Sequence, residues 1–386
     1  MTNHPAALSR SAIGREAFET AQTITSDWLR SRAVRQMYQV LPDDCVPAAL
    51  ALARALAGPT LRARTLLAVS RAAPAAEQPA LLAEARAVIN MIDEAAGQVE
   101  VLGLLAGRLS GDAAAEAAQA ALARAPEIVG DSERGWRVVS LLAHLPPADR
   151  AAAVGLLRGL TDASTRQPAL AEAAQFLPEA EQAALRAEAL AEARALTDGE
   201  TRARALAGML GALPAPERGP AAAEALAAVD AAADPTLWAR VVLWTAAALP
   251  RDAAATAYPL GLGLPPGEAR AEAVGALATA APEAERRARL AEALTLAAAV
   301  EDEWGRVFAV SRLAGALGPD LHAPALAAAR AIADTWARAD LLTELAGWLP
   351  SEQKDLVLTE ALAAARACPQ PWARARALTG VADQCT

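Results

Sequence analysis

Only three histidines, His4, His144 and His322, occur in this chain of 386 residues. Histidine titrates near neutral pH, so acid–base catalysis and metal binding usually draw on it. These three stand at unrelated points. His144 precedes Leu145-Pro146, and His322 falls near the start of a helical stretch. No His-Glu-x-x-His, Cys-x-x-Cys or Gly-x-Ser-x-Gly spacing occurs, which removes the commonest metalloprotease, thiol-redox and hydrolase patterns. The carboxylate groups Asp43-Asp44 and Glu301-Asp302-Glu303 lie at helix starts, where the positive end of the helix dipole accounts for them. Cys45, Cys368 and Cys385 are too few and too scattered for a disulfide framework or a zinc site. The expectation is a non-enzymatic protein with no cofactor and no metal.

Two other residue types recur at fixed spacing. Arginine stands at Arg30, Arg62, Arg134, Arg166, Arg202, Arg270, Arg306, Arg338 and Arg374. Gln98 and Trp238 fill the same position in two further units. Such a row would either line a surface for an acidic partner or tie neighbouring units together. The ties would run to aspartate caps or to Glu188, Glu224, Glu292 and Glu360. Uniformity favours the structural role, because a ligand site rarely needs one residue along a whole array. Tryptophan stands two residues before the arginine at Trp28, Trp304, Trp336 and Trp372, where other units carry Thr, Ser, Ala or Glu. A position that accepts all of these is half exposed. Trp304, Trp336 and Trp372 fall in successive units, roughly 10 Å apart at helix-packing distance. Aromatics at such spacing suit a protein interface, or else each indole covers the loop beside it.

The elements that position these residues follow from the same count. Four residues after the arginine, all eleven units carry Leu or Val, from Val34 to Leu378. Offsets of 0, 4, 7 and 11 share one helical stripe, giving one amphipathic helix per unit, helix A. Asp162, Asp198, Asp234, Asp302 and Asp334 precede the arginine by four residues, as N-caps would. Eight units carry proline twelve residues after it, among them Pro146, Pro178, Pro214, Pro250 and Pro350. Proline ends helix A and opens a second helix, helix B. Helix B has an Ala-Leu-Glu texture, as in Glu188-Ala189-Leu190 and Glu360-Ala361-Leu362. The prolines are spaced 32 or 36 residues apart, and the difference of four is close to one helical turn.

The expected fold is therefore all-α, an α-solenoid of about 11 two-helix units forming one continuous domain over residues 1–386. A helix B at residues 5–25 opens it as a half-unit. Neither terminal unit is rewritten into a polar cap, although array ends normally need one. The ends must then pack on something else, leave mainly alanine bare, or join copies of the chain. The least regular unit spans residues 234–270. There Trp238 replaces the arginine, Trp244 follows, and Tyr258-Pro259 begins a Gly- and Pro-rich stretch expected to disrupt helix B. A broken local rule often marks function, so Trp238, Trp244 and Tyr258 join Trp304, Trp336 and Trp372 as candidate partner-binding residues.

Composition sets the remaining bounds. Net charge is −9, which argues against a dedicated nucleic-acid binder and favours a neutral or basic partner. The first residues lack a secretory-signal pattern, and no apolar run is long enough for a membrane span. A cytoplasmic location is expected. The period resembles the tetratricopeptide repeat, and the helix A texture Arg-Ala-x-x-Leu-x-x-Leu-Ala-x-x-Leu-Pro resembles the HEAT family. The tetratricopeptide Leu-Gly and Tyr of helix A are absent. The resemblance implies a right-handed superhelix whose concave groove binds a protein or peptide. It equally implies a sensor or adaptor subunit of a bacterial signalling or defence assembly. A lyase or DNA glycosylase on a HEAT-like frame, and self-assembly through the array ends, are the other readings.

Overall fold

The computed structural model describes residues 9–385. Among them are 22 α-helices and no strand. The chain divides into two compact units, one holding the residues up to Arg108 with those from Pro319 onward, the other Leu109–Gly318. Unit 1 contains α1 (Arg10–Gln22), α2 (Asp27–Gln36), α3 (Val46–Ala55), α4 (Pro59–Val69), α5 (Gln78–Ile89) and α6 (Ala95–Ala106). Unit 2 contains α7 (Gly111–Arg124), α8 (Asp131–Leu141), α9 (Pro147–Arg158), α10 (Ala163–Ala173), α11 (Glu179–Ala195) and α12 (Gly199–Met209). It continues with α13 (Ala215–Ala227), α14 (Pro235–Thr245), α15 (Arg251–Leu262), α16 (Glu268–Thr279), α17 (Glu283–Ala298) and α18 (Glu303–Ala314). The chain then returns to unit 1 as α19 (Pro319–Arg330), α20 (Thr335–Ala346), α21 (Ser351–Arg366) and α22 (Pro371–Gln384). Even-numbered helices are the A helices and odd-numbered ones the B helices. The expected opening half-unit is α1, and its residues 5–8 lie outside the described residues.

Helix boundaries follow the punctuation in the sequence. The side chains of Asp162, Asp198, Asp234, Asp302 and Asp334 each accept an amide hydrogen bond at the start of an A helix. Pro146, Pro178, Pro214, Pro250, Pro282 and Pro350 occupy the N-cap of the B helix that follows. Gly130 caps α8 at φ 94°, in the left-handed region that only glycine enters freely. The eleven Leu and Val residues at the fourth position after the arginine are all buried. Each such side chain contributes about 2 kcal/mol by leaving water. The rest of the core is largely alanine, which lets helices approach closely at little cost in side-chain entropy.

Unit 1 stacks its A helices in the order α20, α22, α2, α4, α6, each packed on the next. The B helices pack against this row, with α21 on α20 and α22, and α5 on α4 and α6. The order passes from α22 directly to α2 because the two chain ends meet: α1 packs on both. In α1, Ile13, Ala17, Phe18 and Ala21 are buried. Each end of the chain thus covers the stacking face of the other. Unit 2 stacks α8, α10, α12, α14, α16 and α18 in sequence order, with B helices packed against them in the same way.

The stretch at 258–267 departs from expectation. Helix α15 continues to Leu262 with Pro259 inside it, so the disrupted segment is shorter than the glycines and prolines imply. Proline near the end of a helix removes one donor and clashes with one carbonyl, and the final turn absorbs both.

Candidate functional site

The exposed face of each A helix carries the residues two before, two after and six after the arginine position. Ten large apolar side chains are exposed among the described residues, and five of them lie on this face: Trp28, Leu104, Trp136, Trp244 and Phe308. The other five, including Met91 and Trp348, are dispersed over turns and B helices.

In unit 1 the face carries three tryptophans among charges of both signs. Trp336 of α20 and Trp372 of α22 meet edge to face, with ring centroids 4.7 Å apart and planes at 73°. They are closer than helix spacing alone requires, because the two half-buried rings lean together. Trp28 of α2 takes the next place, since α2 packs on α22. Residues far apart in sequence thus fall in consecutive units. The Arg376 guanidinium lies 6.0 Å from the Trp336 ring, and that of Arg32 lies 5.4 Å from Trp28. Arg35, one turn beyond Arg32, is half-buried and its Nε has no hydrogen-bond partner. Burial, and then the like charge of Arg32, push its pKa down. Asp340 of α20 belongs to the same face, and burial raises its carboxyl pKa despite the opposing charge of Arg376.

In unit 2 the corresponding face holds Trp304 and Phe308 of α18, with centroids 6.1 Å apart. It also holds Trp136 and Trp244, which are 62% and 43% exposed. The trio from the irregular unit does not assemble. Trp238 is buried at 2% exposure, as core packing takes the place of the usual arginine. Tyr258 is buried too, and its hydroxyl donates to Glu292 Oε2 at 2.9 Å, with Arg289 4.2 Å from its ring. Burial, with the Glu292 hydrogen bond second, drives its phenol pKa well up. Only Trp244 of the three stands on the surface.

The arginine row has one dominant use, a structural one whose acceptors are backbone carbonyls rather than the expected carboxylates. Arg62, Arg166, Arg202, Arg306, Arg338 and Arg374 each donate to the backbone carbonyl six residues earlier, at the end of the preceding B helix. A guanidinium there satisfies an orphan acceptor and complements the negative helix end. Arg30 and Arg134 pair with Asp27 and Asp131 on their own helices. Arg166 also approaches Glu192, at 3.6 Å. A parallel row escaped the sequence reading. Arg150, Arg218 and Arg286, four residues after a proline, donate to the carbonyl preceding that proline, as do Gln78 and Gln182. Counting from the proline instead of from the arginine exposes that signal.

The ties to glutamate come from a different arginine set. Arg54 forms a two-bond clamp with Glu84 of the next B helix, and the same clamp joins Arg158 to Glu188, Arg194 to Glu224, and Arg330 to Glu360. A fifth joins Arg366 to Glu16 across the two chain ends. No family model and no curated protein matches the chain. Among solved structures it is similar to the crystal structure of Ton1535 from Thermococcus onnurineus NA1. The identity is 15%, the match covers 87% of this chain and 94% of that one, and the TM-score is 0.30. Likeness at that level carries no argument about function.

No group of three or more His, Cys, Asp and Glu side chains suited to a metal occurs among the described residues. The three cysteines are all buried with free thiols. No described helix is long and apolar enough to cross a membrane.

Proposed function

We propose that the chain is a non-enzymatic binding module that holds a segment of another protein against the exposed face of its A helices. The observation that carries this reading is the gathering of exposed aromatic and aliphatic side chains on that one face. Trp and Arg dominate the energetics of protein interfaces. In unit 1 the face offers Trp28, Trp336 and Trp372 with Arg32, Arg35 and Arg376 around them. Asp340 and Glu344 share this face, but the charges beside Trp28 are Arg32 and Arg35, and that patch favours a segment carrying a carboxylate beside apolar residues.

The test uses short acidic–aromatic peptides selected by display against the full chain, with affinities read by fluorescence anisotropy. Trp28→Ser and Arg35→Gln are each expected to weaken binding about tenfold, one well-placed contact being worth over 1 kcal/mol. Unchanged affinity in both variants, with circular dichroism showing intact helices, would remove the reading. Tighter binding of a single-stranded oligonucleotide than of any peptide would also remove it.

A further inference from the structure

The groove between α13 and α15 lacks the arginine–glutamate clamp that five other B-helix grooves carry. In five places an arginine near the end of one B helix holds a glutamate on the next. Counted in register, the arginine position at the end of α13 is Asp230 and the glutamate position on α15 is Thr256. Helix α13 also stops early, at Ala227, about one turn short of the corresponding end of α11 at Ala195. The result is a cavity of about 470 Å³ lined by Leu226, Ala257, Leu260 and Trp238, with Asp230, Asp252 and Thr256 among its walls.

Its chemistry is one-sided. Two carboxylates line it, and no basic side chain does. Asp230 spends one oxygen on the Ala232 amide at 2.9 Å. Other grooves of unit 2 that lack the clamp have a different tie: Tyr258 donates to Glu292 between α15 and α17, and Gln119 donates to Asp149 between α7 and α9.

We infer that this cavity seats an alkylguanidinium group supplied from outside the chain, between Asp230 and Asp252. The fold itself places a guanidinium between successive B helices in five other grooves, so the helix spacing accommodates that group. A planar guanidinium matches carboxylate geometry better than an ammonium does. The alanine and leucine walls suit an aliphatic stem. The site lies among the B helices, away from the A-helix face, and stands or falls independently of the function proposed above.

Calorimetry of the full chain with two probes, agmatine and an acetylated, amidated Gly-Arg-Gly peptide, tests the inference. Binding of either supports it, and the tighter of the two identifies the source as a free small molecule or a polypeptide side chain. Cadaverine is expected to bind more weakly than agmatine. The decisive variant is D230R/T256E, which installs the clamp found in five other grooves. It is expected to fold with an unchanged helical spectrum and to lose at least about tenfold in agmatine affinity. Asp252→Asn is expected to weaken binding without altering the fold. The inference is overturned if neither probe binds, if cadaverine matches agmatine, or if the clamped variant binds as the wild type does.

Discussion

At the scale of single residues, the chain's charges act mostly on its own backbone. Asp131 shows the device in full. One carboxylate oxygen accepts from the Thr161 hydroxyl and from the amides of Thr161 and Asp162, thirty residues on, while the other accepts from Arg134. The Thr161 hydroxyl and the Asp162 amide lead in holding this carboxyl far below its ordinary pKa. Asp27, bonded to the Ala57 amide and Arg30, is lowered in the same way. A pKa that is depressed in the folded state stabilises the fold above the unfolded carboxylate value, about 4, and that contribution drains away as pH falls further. Asp131→Asn should therefore lower the thermal midpoint at pH 7, and the gap from wild type should narrow steadily below about pH 4. A gap that stays constant across that range would show that the carboxylate's charge does not matter. Sequence counting located the cap aspartates correctly. It could not locate this contact, because the partners sit in the loop of the next unit and only the stacking brings them within reach.

At the scale of elements, helix starts were the most legible feature and helix ends the least. An aspartate or proline at a start acts through its own side chain, so its meaning is local. A helix end is finished here by a side chain six residues on or four residues past a proline, and that choice depends on how two helices turn against each other. The same reason explains α15. Read locally, Tyr258-Pro259 followed by glycines looks like a break. In the fold, Tyr258 ties α15 to Glu292 on α17, and the helix persists through the proline. Tyr258→Phe keeps the ring and removes the tie. The expected cost is about 1 kcal/mol, the usual net value of one hydrogen bond, seen as a lower urea midpoint. Amide exchange should rise in α15 before it rises in α14 or α16. Exchange that rises equally everywhere would mean that the bond does not hold this element in particular.

At the scale of the molecule, the repeat was plain in the sequence and the meeting of its ends was not. The unmodified terminal units posed a physical problem, since apolar stacking faces normally require capping. The structure answers it with α1 in the place that a helix B would take after α22. Glu16 then stands to Arg366 as Glu360 stands to Arg330, down to the two-bond geometry. The sign was present in Glu16-Ala17-Phe18, which repeats Glu360-Ala361-Leu362, but a linear reading gives no reason to compare the first helix with the successor of the last. The salt bridge itself is exposed and worth little; the packing of Phe18 and its buried neighbours holds the ends together. If α1 and α22 form an ordinary A–B pair, the chain's starting point is arbitrary. A permuted chain that joins residue 385 to residue 9 through a short flexible linker, and opens in the exposed turn at Pro265-Pro266, should keep its helical spectrum. Its thermal midpoint should fall within a few degrees of the parent's, since exposed turns tolerate new termini. A second chain that lacks residues 1–25 and is not permuted should instead lose stability and associate through the uncovered face of α22. A permuted chain that fails to fold, beside a truncated one that stays monomeric and stable, would show that the meeting of the ends contributes nothing to the fold.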